Sequence, residues 1–265
     1  MLKRAIDVLA ASVLLTIAFP LLAFAGVLIR IDSPGPAIFR QIRMGRRFRR
    51  FHLYKLRTMR VGGHGPTYTL GADPRITLIG QWLRRFKIDE LPQLWNVLRG
   101  DMSLVGPRPV IPELVLEFDE AYQRLLAVRP GLTDPASLKY CRETEMLSQV
   151  ENPYDYFKTV ATPDKIRISQ EYLERATFWS DAVVVVKTAL VLATMILPLR
   201  LERQEPEWEP AVPDLLPIPS TGNSHSAQGV LDHSAVLVQF AVPPGIAPGA
   251  SLSSSARGGE SIHIG

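Results

Sequence analysis

The strongest constraint on this chain is a stretch of 22 residues, positions 8–29, that carries no charge. As an α-helix, this stretch is long enough to cross the hydrocarbon core of a bilayer, which is about 30 Å thick. Pro20 lies inside it, and an internal proline removes a backbone donor and clashes with the preceding turn. We therefore expect a kink or break at Pro20, between two halves that are each too short to span a membrane alone.

Both flanks of this apolar stretch are basic. Lys3 and Arg4 precede it, and nine Lys or Arg residues follow between positions 40 and 60. Basic flanks prefer the cytoplasmic side, so a hairpin that enters and leaves the membrane on one side suits the charges better than a straight span. We expect residues 1–31 to form such a re-entrant membrane helix hairpin. A straight span, a signal peptide cleaved after residues 23–25 and a buried soluble helix are the alternatives.

The formal net charge of +4 conceals two unlike regions. Residues 1–200 carry a net charge of +9, whereas residues 201–265 carry −5 and are rich in Pro, Gly and Ser. This composition predicts a disordered tail. The only cysteine, Cys141, excludes a disulfide framework, and the five scattered histidines give no pair with metal-ligand spacing.

The region between the apolar stretch and the tail predicts a mostly helical α+β domain. Apolar residues alternate imperfectly over residues 37–43 and 48–56, and Gly45 can close a β-hairpin between them. The glycine-rich residues 61–70 predict a loop. Amphipathic helices are expected from Asp73, which would cap the first, from Asp89 to a stop at Gly100, and over residues 112–128, 163–176 and 181–199. We expect the last helix to pack on the core or to lie at the membrane interface.

Two adjacent carboxylates, Asp89 and Glu90, stand at a predicted helix start beside Arg84, Arg85 and Lys87. A carboxylate can attack phosphorus and form an acyl phosphate, and its neighbour can hold Mg²⁺, which takes one or two carboxylates plus substrate phosphates. The helix N-terminus adds partial positive charge. Spacing alone, however, favours the interpretation that both acids are ordinary residues of a first helical turn.

The arginine of the rigid Gly-Pro-Arg-Pro segment, Arg108, is suited to bidentate phosphate binding. The basic residues 40–60 can instead form a solvated face, an anchor for anionic lipid or a nucleic-acid patch. The alternative function is therefore a membrane-anchored basic protein that binds anionic lipid or nucleic acid without catalysis.

Several segments, taken in chain order, resemble the bacterial sugar transferases, or monotopic phosphoglycosyl transferases. These enzymes move a sugar phosphate from a nucleotide sugar onto polyprenyl phosphate. The resemblance covers residues 2–198 and is carried by residues 3–7, 33–41, 54–59, 73–77, 87–109 and 129–133. Together, this ordered set favours a catalytic role for the Asp-Glu pair over a capping role.

The resemblance implies a role for each matching residue. Asp89 would be the nucleophile of a two-step reaction, and Glu90 would be a ligand of Mg²⁺. The first step would release UMP from a UDP-sugar and leave a phosphosugar on Asp89, and polyprenyl (undecaprenyl) phosphate would take up that group in the second step. Lys55, Arg84 and Arg108 match phosphate-handling positions. Arg57, Arg75 and Arg129 are further candidates for phosphate binding, and Asp73 and Asp101 are candidates for a supporting role.

The resemblance also implies a place and partners for the protein. A catalytic domain at residues 32–200 would sit on the cytoplasmic face of the bacterial inner membrane and start a surface polysaccharide or glycoconjugate. Membrane lipid, downstream glycosyltransferases and a second copy in a homodimer would be partners, and nucleic acid would not. Residues 134–137 read Asp-Pro-Ala-Ser, which departs from the pattern of many members and leaves the sugar open.

Overall fold

A single long helix, α1 (Leu2–Asp32), opens the fold and contains the whole apolar stretch. The computed structural model describes residues 2–62 and 73–196, so the predicted tail at 201–265 and most of the predicted loop at 61–70 lie outside the described residues. Helical structure continues through Pro20 and does not stop there. The break is therefore absent, because a proline removes only local hydrogen bonds and the turns on either side keep theirs. The alternative expectation, a kink at Pro20, stays a prediction.

Both ends of α1 pack on the rest of the described chain. Near the N-terminus, the Arg4 guanidinium donates to the Val97 carbonyl (2.6 Å), and the Asp7 carboxylate accepts from the Ser103 hydroxyl (2.7 Å). Near the C-terminus, Ile29 is buried against the core. The middle of the helix instead exposes large apolar side chains, among them Val13, Leu14, Ile17, Phe19, Leu21 and Phe24.

The predicted β-hairpin is confirmed. Strands β1 (Ile38–Met44) and β2 (Arg50–Leu56) pair antiparallel, with Arg43 opposite Phe51. Leu53 of β2 is buried against α1 and against the helix that follows the Asp-Glu pair. The hairpin therefore connects the long helix to the site.

The next helix begins later than predicted. Helix α2 (Leu78–Arg85) is capped by Thr77, whose hydroxyl accepts from the Gly80 amide at 3.0 Å. The prediction that Asp73 caps this helix is wrong, because its carboxylate instead accepts from the Arg75 amide and side chain. Helix α3 (Gln93–Arg99) follows the Asp-Glu pair and ends at Gly100, whose φ of 88° is left-handed, as predicted for a glycine stop.

A short parallel strand pair, β3 (Ser103–Val105) and β4 (Gly131–Thr133), was not predicted. Beyond the ladder itself, the Gly131 amide donates to the Pro107 carbonyl at 2.9 Å. A Cβ atom on Gly131 would lie 2.2 Å from the Gly106 nitrogen. The two backbones can therefore come this close only because both residues are glycines. This close contact brings the segment that carries Arg108 against the segment that follows Arg129.

The remaining described helices complete the body of the fold. The helix predicted at 112–128 is divided at Phe118, where the backbone leaves helical geometry (φ −127°). The last helix begins at Phe178, three residues earlier than predicted.

Two helices of the described chain, Leu2–Asp32 and Phe178–Met195, are long and apolar enough to cross a membrane by length and composition. The bounds are α4 (Pro112–Glu117), α5 (Asp119–Leu125), α6 (Pro135–Lys139), α7 (Glu143–Ser148), α8 (Pro153–Tyr156), a π-helical turn (Phe157–Ala161), α9 (Thr162–Arg175) and α10 (Phe178–Ile196).

Candidate active site

The Asp-Glu pair lines an open cleft of about 2330 Å³. Charged side chains from β2, α2 and the Gly-Pro-Arg-Pro segment share this lining with apolar side chains of α1 and α10. The cleft therefore joins a polar region, suited to phosphates, to apolar walls that continue onto the long helix. The residues of α1 that line it are Ala10, Leu14, Ile17, Ala18, Leu21 and, near the end of the helix, Arg30.

Asp89 is held by a sharp reversal between α2 and α3. Lys87 adopts left-handed backbone geometry (φ 56°), and the next three residues, Ile88–Glu90, form a single 3-10 turn. This geometry turns the Asp89 side chain into the protein, where the residue is only 7% exposed. Its Oδ1 atom is buried and has no hydrogen-bond partner among the described residues. An unpartnered buried carboxylate oxygen is costly for folding, and such groups concentrate at functional sites.

Glu90 has the opposite surroundings. Its Oε1 atom accepts from the Arg108 guanidinium and lies 3.4 Å from Lys55 Nζ, while Oε2 lies 3.4 Å from Gln93 Nε2. Glu90 thus links strand β2, helix α3 and the segment after β3. These contacts place two cations directly beside the nucleophile candidate.

The two carboxylates consequently differ in acidity. Burial, with a smaller contribution from the charge of Glu90, raises the pKa of Asp89 to about 6. Burial alone would also raise the pKa of Glu90, but the charges of Arg108 and Lys55 outweigh it and hold that pKa well below its usual range. Burial lowers the pKa of Lys55, and the charge of Glu90 opposes this shift.

A third cation, Arg84 on α2, completes this group. Its Nε atom donates to the Thr58 hydroxyl at 2.8 Å. Burial lowers the pKa of Arg84, while the nearby charge of Asp89 opposes that shift. The structure therefore brings Lys55, Arg84 and Arg108 together around the Asp-Glu pair. Their phosphate-binding role stays a prediction.

Comparisons with known proteins identify the family of this chain. The sequence profile described as bacterial sugar transferase matches residues 1–195. The chain belongs to the bacterial sugar transferase family. The matched residues include α1, the hairpin, the Asp-Glu pair and nearly all of α10.

Individual relatives within the bacterial sugar transferases carry specific names. A protein of Caulobacter vibrioides, named UDP-glucose:undecaprenyl-phosphate glucose-1-phosphate transferase, is 38% identical over 202 residues, which cover 72% of this chain and 70% of the relative. A UDP-N-acetylgalactosamine-undecaprenyl-phosphate N-acetylgalactosaminephosphotransferase of Aeromonas hydrophila is 37% identical over 202 residues, covering 73% of this chain. The chain spans only 44% of the length of that second relative.

Two other residues of this bacterial sugar transferase that were predicted to bind phosphate donate hydrogen bonds to backbone carbonyls. Arg57 is 5% exposed and donates to the carbonyls of Ile29 (3.3 Å) and Ser33 (2.6 Å), at the end of α1. Arg129 Nε donates to the Gly100 carbonyl at 2.9 Å, beyond the end of α3. These contacts hold helix ends in place, and the phosphate-binding role of both residues stays a prediction.

The last predicted site residues form local pairs. Asp73 and Arg75 are joined by an ion pair of 2.6 Å, and Arg75 lines the cleft. Asp101 accepts from Asn96 Nδ2 at 3.3 Å and lies 3.5 Å from Arg99 Nε. The structure thus places Arg75 at the cleft wall and Asp101 behind α3, and the supporting roles of Asp73 and Asp101 stay predictions.

Asn96 is fully buried and was not among the site residues predicted from the sequence. Its side-chain amide donates to the His52 carbonyl at 2.7 Å, and its Oδ1 accepts from the Tyr54 amide at 3.1 Å. Asn96 thereby fixes the distance between α3 and β2, and so between the Asp-Glu pair and Lys55. The available signal was a polar residue within the apolar pattern of α3.

The residues present are compatible with a magnesium ion. Within the described ranges, no three His, Cys, Asp or Glu side chains cluster as a closed metal site. Magnesium does not need such a cluster, because it is usually bound through one or two carboxylates together with substrate phosphates and water. The unpartnered Oδ1 of Asp89 next to Glu90 supplies a donor of this kind.

Proposed function

We propose that this protein transfers a sugar 1-phosphate from a UDP-sugar to undecaprenyl phosphate and releases UMP. The observation that carries the proposal is the unpartnered, buried carboxylate oxygen of Asp89 among the cations Lys55, Arg84 and Arg108. The names of the two relatives, which act on UDP-glucose or UDP-N-acetylgalactosamine with undecaprenyl phosphate, support it.

In the first step, an Oδ atom of Asp89 attacks the phosphorus atom that is bonded to the sugar. A bond forms between Asp89 and phosphorus, and the bond from phosphorus to the bridging oxygen breaks, so that UMP leaves with the electron pair. Lys55 and Arg108 neutralise charge on the phosphoryl oxygens. The product of this step is a phosphosugar attached to Asp89.

In the second step, a phosphate oxygen of undecaprenyl phosphate attacks the same phosphorus atom. The bond to Asp89 breaks, which frees the carboxylate and leaves an undecaprenyl-diphosphate sugar. Glu90, with Asp89, would hold Mg²⁺, and the ion would supply positive charge for the substrate diphosphate. Arg108 and Lys55 hold the Glu90 carboxylate in place for this role.

We propose further that α1 is re-entrant and that the site lies on the cytoplasmic face of the inner membrane. The support is that both ends of α1 pack on the same body, through Arg4 and Asp7 at one end and Ile29 at the other. A straight span would separate these ends by the membrane thickness. The exposed apolar middle of the helix would then contact lipid.

Cysteine labelling tests this placement. Leu2 and Ile31 are 72% and 77% exposed at the two ends of α1. In a Cys141→Ser background, Leu2→Cys and Ile31→Cys should both resist an impermeant maleimide in intact cells and react after permeabilisation. Reaction of either position in intact cells would contradict the re-entrant placement.

The activity itself is tested by UMP release. Membranes containing the protein should release UMP from at least one of UDP-glucose, UDP-galactose and UDP-N-acetylgalactosamine when undecaprenyl phosphate and Mg²⁺ are added. Membranes containing Asp89→Asn, at matched protein levels, should release none above background. UMP release by that variant at the wild-type rate would refute the role given to Asp89.

A further inference from the structure

Arg43 is a cation of the cleft that has no ion-pair partner among the described residues. It is half-buried on β1 and lines the same cleft as the Asp-Glu pair. Its Nε and Nη2 atoms donate to Gln41 Oε1 at 3.1 and 2.7 Å, and Nη1 donates to the Pro109 carbonyl at 3.3 Å. Both acceptor atoms are neutral. A guanidinium has five N–H donors, so these three contacts leave two N–H groups.

The position of Arg43 follows from the fold. Met44, the next residue, forms an isolated bridge with Val110, in which the Met44 amide donates to the Val110 carbonyl at 2.9 Å. This bridge sets the end of β1 beside the segment that carries Arg108. Gln41, two residues earlier on the same face of the strand, holds the guanidinium from the other side.

The electrostatics of this place favour an anion. Burial, followed by the charge of Arg108, lowers the pKa of Arg43 to about 10, and Glu90, Glu113 and Tyr122 oppose that shift without an ion pair. The residue therefore stays charged at neutral pH, next to a second guanidinium that is already engaged by Glu90. Two neighbouring guanidiniums repel each other unless an anion lies between them, and phosphate suits such a fork.

We infer that Arg43 binds a phosphate group of one of the two substrates, as a further cation of the site beside Lys55, Arg84 and Arg108. This inference rests on the proposed function, because it takes both substrates to be phosphate esters. Gln41 acts as a positioning residue, since its side-chain oxygen fixes the guanidinium.

The test compares Arg43→Gln with Arg50→Gln in purified full-length protein. Arg50 is an exposed arginine of the same hairpin that does not line the cleft, so its substitution removes the same charge. One arm measures single-turnover UMP release against UDP-sugar concentration, without acceptor, using the UDP-sugar that the wild type turns over fastest. The other arm measures the KM for undecaprenyl phosphate at saturating donor.

Arg43→Gln should raise the half-saturating concentration of one substrate about 10- to 100-fold, with Arg50→Gln close to wild type. A rise in the donor arm assigns Arg43 to a donor phosphate, and a rise confined to the acceptor arm assigns it to the lipid phosphate. Arg43→Lys keeps the charge but not the forked guanidinium, so its half-saturating concentration should lie between those of Arg43→Gln and Arg50→Gln. This intermediate value guards against a folding defect as the explanation. Unchanged values in both arms would overturn the inference. Absence of UMP release by the wild type would instead refute the proposed function, and this inference with it.

Discussion

Asp89 and Glu90 are neighbours in the chain, but only Glu90 is neutralised by the protein. Arg108 and Lys55 both contact the Glu90 carboxylate, whereas Asp89 Oδ1 is buried without a hydrogen-bond partner in the described part of the chain. The shifts in pKa follow, upward for Asp89 and downward for Glu90. One carboxylate is fixed by its partners, and the other is kept reactive. This difference is the physical basis of the predictions below.

The first prediction concerns the pH dependence of the first step. Only ionised Asp89 can attack phosphorus, and burial raises its pKa to about 6. The single-turnover rate of UMP release should therefore rise between pH ~5 and ~7 and level off above that range. Quenched single-turnover measurements of UMP release, made across this pH range in buffers of constant ionic strength, would check this. A rate that stays flat from pH ~5 upward would contradict the shifted pKa.

The second prediction concerns stability. A raised pKa means that folded Asp89 binds its proton more tightly than unfolded Asp89, so this stabilising effect is complete at low pH and is lost as the pH rises through about 6. Asp89→Asn should therefore raise the Tm at neutral pH by at least about 2 °C. The gain should shrink near pH ~5. Asp155→Asn, at an exposed position, is the control, and an equal effect there would contradict the explanation.

The third prediction concerns Glu90. Glu90→Gln removes the negative charge that faces Arg108 and Lys55 and, in our proposal, a ligand of Mg²⁺. Activity should fall, and the Mg²⁺ concentration that gives half-maximal UMP release should rise about tenfold or more. A magnesium titration of wild type and variant checks this. If both proteins gave the same half-maximal concentration, Glu90 would not be a ligand.

The fourth prediction separates two roles for Arg57. Because its guanidinium donates to the Ile29 and Ser33 carbonyls, Arg57→Gln leaves buried acceptors unsatisfied and should cost about 1–3 kcal/mol of stability. Thermal denaturation should show a clearly lower Tm, with an unchanged KM for the UDP-sugar. The reverse result, a higher KM at unchanged Tm, would support the predicted phosphate-binding role.

Local sequence signals predicted the elements whose causes are local. The β-hairpin follows from alternation around Gly45, and the end of α3 follows from Gly100. The pair β3–β4 could not be read in this way, because each strand has three residues and the contact of Gly106 with Gly131 joins distant segments. Asp73 is a good capping residue by type, but Arg75 competes for its carboxylate.

The sequence predicted which residues carry the chemistry of the site, but it did not predict all of their contacts. The order of motifs pointed to Asp89, Lys55, Arg84 and Arg108, and the structure brings them together. The contacts of Arg57 and Arg129 with carbonyls depend on how helix ends meet in the folded protein. No sequence pattern distinguishes such an arginine from one that is available to substrate.

The most direct test of the account is the intact mass of the purified protein after incubation with its UDP-sugar and Mg²⁺, without undecaprenyl phosphate. We predict a mass increase of one sugar phosphate, located on Asp89 by peptide mapping, together with a matching amount of UMP. The adduct should disappear on addition of undecaprenyl phosphate and should not form in Asp89→Asn. Rapid transfer to the lipid by the wild type, with no adduct at any time and UMP released only when the lipid is present, would contradict the covalent mechanism.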